Sequence, residues 1–131
     1  MTIYSPARAG RVYDNPAELQ TDLDFWKKEL RLLDWDIKLE IVRSHVFRED
    51  FVGDCGVSLS NKTAHIRLMD AIDVTGSEWF QLDQEEVLVH ELLHIHMEPF
   101  FPKGEHALNF TGEQAIESIA KALVSLRRQN Q

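Results

Sequence analysis

The chain has 131 residues, of which 44% are hydrophobic and 27% charged, and this composition predicts one globular domain spanning residues 1–131. A formal net charge of −8 disfavours binding to nucleic acid. The sequence contains no stretch of 18 apolar residues, so it predicts no membrane span. The single cysteine, Cys55, cannot form an internal disulfide, and residues 1–10 lack the apolar core of a secretory signal. We therefore expect a cytoplasmic protein with no nucleic-acid or membrane partner.

The first third of the chain predicts an extended arm, a helix and a strand. Residues 1–14 show no helical periodicity. Asn15 is a good N-cap and Pro16 suits the first helical turn, and apolar residues then recur at spacings of three and four as far as Leu33. Apolar and charged residues alternate from Trp35 to Val42, which indicates a half-buried strand.

A hairpin and two further helices follow. Residues 51–72 predict the hairpin, whose second strand is Thr63–Met69. A helix is predicted from an N-cap at Asp83 to about Met97, and Thr111 with a glutamine three residues later predicts the N-cap of a third helix. The order of elements indicates an α+β domain in which a small three- or four-stranded mixed sheet packs on helices.

The second of these helices carries the motif His90-Glu91-Leu92-Leu93-His94. Residues four apart lie on one face of a helix, so both imidazoles point to a common place and Glu91 lies beside them. Two imidazoles are typical zinc ligands, and a neighbouring glutamate can act as the base of a metallopeptidase. The alternative is a pair of core histidines without a metal, but two imidazoles and a carboxylate on a buried face are costly unless they are paired or metal-bound.

A catalytic zinc ion ordinarily has three protein ligands, so a third is needed. The extended pattern with a glycine and a third histidine fails, because those positions are Met97 and Phe100. The third helix offers Glu113 and Glu117, which are four residues apart and therefore share a face.

These residues resemble the site of the gluzincin metallopeptidases, of which thermolysin is the best-known member. The resemblance implies one Zn²⁺ per chain, with Glu113 as the third ligand and Glu117 holding a ligand histidine, most simply His90. Thermolysin has an aspartate where this chain has Glu117, so the exchanged assignment, in which Glu117 is the ligand, stays open. The size and layout of the chain also resemble the minigluzincins and the short metallopeptidases of phages and prophages.

The resemblance implies a zincin-like fold and a zinc-dependent endopeptidase in which Glu91 is the general base. Zincins bind a peptide along an edge strand, which by resemblance is Thr63–Met69, so the expected partner is a peptide or protein substrate. The alternative function is a zinc-binding module, or a latent peptidase, that acts through protein–protein interaction. The presence of Glu91 weighs against it.

Several other polar residues are weaker candidates for a role in this site. His96 is two positions past His94 and is expected on the surface. Cys55 is expected to be a small buried residue rather than a zinc ligand. Five further residues are candidates for stabilising an oxyanion, although no motif identifies any of them: His106, His65, Arg67, Tyr4 and Tyr13.

Overall fold

The computed structural model of the protein describes residues 10–47, 51–74, 82–101 and 106–131, without the side chains of 106–109. This part of the chain folds into three helices and a three-stranded mixed sheet, which confirms the predicted α+β class. The helices are α1 (Pro16–Glu29), α2 (Gln84–Met97) and α3 (His106–Gln129), and the strands are β1 (Asp36–Val42), β2 (Gly53–Ser58) and β3 (Thr63–Met69). None of the described helices is both long and apolar enough to cross a bilayer.

Helix α1 ends at Glu29, four residues before the predicted Leu33. Arg31 adopts a left-handed conformation, with φ of 62°, and the N–H of Leu32 donates to the carbonyl of Lys27 at 2.7 Å. This turn closes the helix and directs Leu32 into the core, where it is fully buried. The prediction was wrong because this position is ordinarily a glycine, and an arginine there gives no stop signal.

The strand order is β1-β3-β2, with β1 parallel and β2 antiparallel to β3. Thr63–Met69 is therefore the central strand, paired on both sides, and the prediction that it forms an edge was wrong. The prediction failed because β1 pairs with β3 in parallel. The two strands are far apart in the sequence, and no local pattern indicates that they pair. The edges of the sheet are β1 and β2, and β2 lies next to α2.

One face of the sheet packs on α2 to form the core. Ala64, Ile66 and Leu68 of β3 point to this face and are buried. Gly53 allows β2 to approach the helix closely, because a Cβ there would lie 2.5 Å from Cγ1 of Val87. Strand β2 and helix α2 are therefore in close contact at Gly53.

Helix α3 begins at His106, five residues before the predicted N-cap, so Thr111 lies within the helix and Glu113 is not in its first turn. The capping pattern is local, and a threonine followed by a glutamine is also compatible with a helix interior. The fully buried stripe is Ile116, Ala120 and Val124. These residues place α3 against α2.

A buried ionic cluster joins the three helices at the end opposite to His94. The carboxylate of Asp22 accepts from the hydroxyl of Tyr13 at 2.7 Å and from Arg127 at 3.0 Å. Glu85, at the start of α2, accepts from the indole N–H of Trp26 at 2.8 Å and from Arg127 at 2.6 Å. Because both acids are about 1% exposed, these partners are what make their burial tolerable. The cluster fixes the first turn of α2.

Candidate metal centre

The two histidines of α2 and Glu113 of α3 converge on one place. The Nε2 atom of His90 lies 3.0 Å from Oε2 of Glu113, and Nε2 of His94 lies 2.6 Å from Oε1 of the same carboxylate. The side chains of the histidines are only 13% and 15% exposed. The structure therefore brings together the three residues that were predicted to share a metal.

Helix α2 begins at a side-chain cap and carries the two histidines on one face. The carboxylate of Asp83 accepts the N–H of Glu86 at 3.0 Å, which confirms the predicted N-cap. The imidazoles of His90 and His94, one turn apart, face α3, while the apolar residues of α2 face the sheet and α1. The imidazole rings lie 5.2 Å apart between centroids, tilted by 46°.

Glu117 lies on the other side of the His90 ring. Its Oε2 atom is 3.7 Å from Nδ1 of His90, which is too long for a hydrogen bond and within the range of an ion pair. Burial lowers the pKa of His90, but the hydrogen bond to Glu113 and the nearby Glu117 carboxylate raise it to about 10. The two imidazoles in turn lower the pKa of Glu113 to about 2. Glu113 and Glu117 thus hold different positions around one imidazole.

Glu91 is buried between α2 and the start of β2, with 6% of its surface exposed. Burial raises the pKa of its carboxyl group to about 7, against the opposing effect of His90 and His94. A Cβ at Gly53 would lie 3.4 Å from Oε2 of Glu91, so the carboxylate is directly beside the edge strand. A carboxylate with such a pKa can both accept and release a proton near neutral pH.

An open cleft of about 780 Å³ contains all of these groups. Its floor is α2, one wall is α3, and the other wall is residues 51–55, which include the start of β2. Phe51 and Phe110 stand at the walls and are 56% and 79% exposed. Sequence reasoning missed these two phenylalanines and Gly53, because isolated apolar residues and glycines carry no signal of their own.

The weaker candidates lie elsewhere or are engaged. His96 is exposed, as predicted, and its Nε2 contacts the carbonyl of Leu30 at 2.6 Å, where it caps the end of α1. Arg67 is paired with Asp54 of β2, and Tyr13 belongs to the buried ionic cluster. His65 contacts Glu40 at 3.4 Å on the face of the sheet that points away from α2.

Cys55 is half-buried in β2 and lines the cleft. Burial and the nearby carboxylate of Glu91 raise the pKa of its thiol to about 12, so the thiol is protonated at neutral pH. Cys55 was predicted to be buried and is less buried than expected. Tyr4 and the side chain of His106 lie outside the described residues.

The donor set fits zinc. Imidazole nitrogen and carboxylate oxygen are zinc ligands, and His90, His94 and Glu113 are the one group of three in the described part of the chain whose ligand atoms all lie within 4.8 Å of one another. Ligand atoms of a tetrahedral zinc ion lie roughly 3.3 Å apart, since each is about 2.0–2.1 Å from the metal. The contacts of 2.6 and 3.0 Å, which go to the two different oxygens of Glu113, are somewhat shorter than that spacing.

Comparisons of the chain with known protein families, with curated proteins and with solved structures find no match. What the site can do therefore follows from its own residues.

Proposed function

We propose that the protein is a zinc-dependent metallopeptidase with a zincin-like fold and a gluzincin-like site. The observation that carries the proposal is the convergence of His90, His94 and Glu113 beside the buried carboxylate of Glu91. Three protein ligands and a neighbouring base are the constellation of catalytic zinc, whereas structural zinc sites have four protein ligands.

In this proposal His90, His94 and Glu113 hold the metal and Glu117 orients His90. The second role suits Glu117 because its carboxylate faces Nδ1, the ring nitrogen that points away from Glu113. Histidine ligands commonly donate their other N–H to a carboxylate, which fixes the orientation of the ring. The same geometry disfavours the exchanged assignment, in which Glu117 would be the ligand.

Zinc bound here would polarise a substrate carbonyl and lower the pKa of a coordinated water. The residues of the chain supply the proton transfers. Glu91 accepts a proton from the attacking water and delivers it to the leaving amine of the peptide bond. In the metal-free protein its burial raises the pKa of the carboxyl group to about 7, so the group can both take up and release a proton near neutral pH.

The edge on which a peptide would align is β2 rather than the predicted β3. Among the described strands, β2 has a partner only in β3, so its other edge is free of sheet pairing. The start of this strand, from Gly53 to Cys55, lines the cleft beside Glu91. An extended peptide paired with β2 would run past the candidate base in a register fixed by main-chain hydrogen bonds.

The test is hydrolysis of an unstructured protein in the presence of zinc, compared with the Glu91→Gln variant. Loss of a general base costs roughly 10²–10⁴-fold in rate, and the variant should retain its zinc. Glu98→Gln is the matched control, because this exposed acid also lines the cleft, and it should keep most of the activity. Equal activity in Glu91→Gln and in the unmodified protein would reject the proposed role of Glu91.

A second candidate is a zinc-binding module without turnover. It is favoured by the lining of the cleft, in which the described residues include no lysine, arginine or tyrosine and offer only neutral side chains, Gln114 and Ser118, besides the two histidines, as donors to an oxyanion. The two functions differ in a single experiment. Zinc binding without hydrolysis in both the unmodified protein and Glu91→Gln identifies the module, whereas hydrolysis that depends on Glu91 identifies the peptidase.

A further inference from the structure

His94 differs from His90 in what holds its imidazole ring. The ring of His90 lies between two carboxylates, those of Glu113 and Glu117. Among the described residues, Glu113 is the one acid that forms an ion pair with His94. The ring of His94 also meets the ring of Phe101 edge to face, with centroids 5.6 Å apart and an interplanar angle of 82°.

The same phenylalanine also touches the backbone of α3. A Cβ at Gly112 would lie 2.8 Å from both Cε1 and Cζ of Phe101, which is closer than non-bonded carbon atoms approach. Gly112 is inside a helix, where glycine costs about 1 kcal/mol relative to alanine. Room for the Phe101 ring is a physical reason for this glycine.

These contacts form a closed loop of four residues. His94 touches Phe101, Phe101 touches Gly112, and Gly112 directly precedes Glu113, whose carboxylate returns to Nε2 of His94 at 2.6 Å. The contact between Phe101 and Gly112 therefore connects His94 on α2 with Glu113 on α3. Both of its residues lie after α2 and outside the motif itself.

We propose that Phe101 is a positioning residue of the metal centre, and that Gly112 supplies the space it needs. Phe101 orients the ring of His94, as Glu117 orients that of His90, and sets how closely α3 approaches α2 at Glu113. This inference rests on the proposed zinc site. Its consequence is that the two positions are coupled: a methyl group at position 112 should weaken zinc binding only while the ring of Phe101 is present.

The test measures zinc affinity by competition with a chelator in Gly112→Ala, Phe101→Leu and the double variant. Replacing a residue that positions a metal ligand typically lowers metal affinity 10–100-fold, so we expect each single variant to bind zinc about tenfold more weakly. When Gly112→Ala is added to Phe101→Leu, the affinity should change by less than about twofold, because the clash is gone. Phe100→Leu is the matched control, since Phe100 is the adjacent residue and is 74% exposed, and it should bind zinc normally.

Two further measurements separate positioning from general destabilisation. The visible absorption of bound Co²⁺ reports ligand geometry, and it should change in Phe101→Leu and not in Phe100→Leu. Thermal unfolding of the metal-free protein should show that Gly112→Ala is stabilising when it is combined with Phe101→Leu, as helix propensity requires, and not when Phe101 is retained.

The outcomes distinguish this inference from the proposed function. If the unmodified protein binds no zinc, the proposed function fails, while the steric coupling in the metal-free protein can still be observed. If the unmodified protein binds zinc but the two substitutions have additive effects, or Phe101→Leu leaves both affinity and the Co²⁺ spectrum unchanged, the positioning role of Phe101 is overturned and the zinc site stands.

Discussion

Exchange of Glu113 and of Glu117 for glutamine should weaken zinc binding to very different extents. The carboxylate of Glu113 contacts both imidazoles, at 3.0 and 2.6 Å, so Glu113→Gln replaces the proposed anionic ligand between them by a neutral amide. Glu117 approaches only His90, at 3.7 Å, and its side chain is 50% exposed. Its removal should cost about tenfold, the lower end of the 10–100-fold range for partners of metal ligands. The loss in Glu113→Gln should exceed a hundredfold, on the order of 3 kcal/mol or more.

Competition between the protein and a chromophoric chelator for zinc measures both affinities on one scale. Glu98→Gln is the control for removal of a negative charge from the cleft, and it should change the affinity little because Glu98 belongs to no described cluster of ligand atoms. A larger loss in Glu117→Gln than in Glu113→Gln would refute the reasoning. It would show that the ligand and the orienting acid are exchanged, as the sequence alone allowed.

Three further predictions concern the rest of the molecule. Asp22→Asn should lower the free energy of unfolding in urea by about 3 kcal/mol, because it removes the charge that pairs with Arg127 in the buried cluster. Asp24→Asn, at an exposed position on the same helix, is the control and should change this free energy by less than about 0.5 kcal/mol. Equal effects of the two substitutions would reject a stabilising role of the cluster. Arg31→Gly should raise the free energy of unfolding by about 0.5–1 kcal/mol by relieving a left-handed backbone, and a loss would contradict that assignment. Burial raises the pKa of the Cys55 thiol to about 12, so at pH 8 the folded protein should react with iodoacetamide far more slowly than free cysteine does. The two rates should become equal when the protein is unfolded in urea, and rapid alkylation of the folded form would contradict the raised pKa.

The sequence predicted those parts of the fold that local signals specify. The N-cap of α2 at Asp83 is confirmed, because a side chain that caps its own helix needs only its neighbours in the chain. The hairpin of β2 and β3 and the α+β class are confirmed for the same reason. The end of α1 was missed because Arg31 occupies a position where glycine is the usual signal.

The parts that depend on distant contacts could not be predicted in this way. The central position of β3 follows from its parallel pairing with β1, and no local pattern encodes that partnership. The start of α3 was placed too late because the capping pattern at Thr111 outweighed the residues before it. The spacing of His90 and His94 predicted that these two imidazoles meet, and the resemblance to gluzincins, rather than spacing, singled out Glu113 from Glu117. Phe101 and Gly112 become visible only once the helices are packed together.

The proposed zinc site is tested most directly by the metal content of the purified protein. Elemental analysis after native purification and dialysis should give one zinc ion per chain. The His90→Ala/His94→Ala double variant, shown to be folded by circular dichroism, should contain almost none. The absence of zinc from the unmodified protein, or equal zinc in the folded double variant, would contradict a metal centre built from His90, His94 and Glu113.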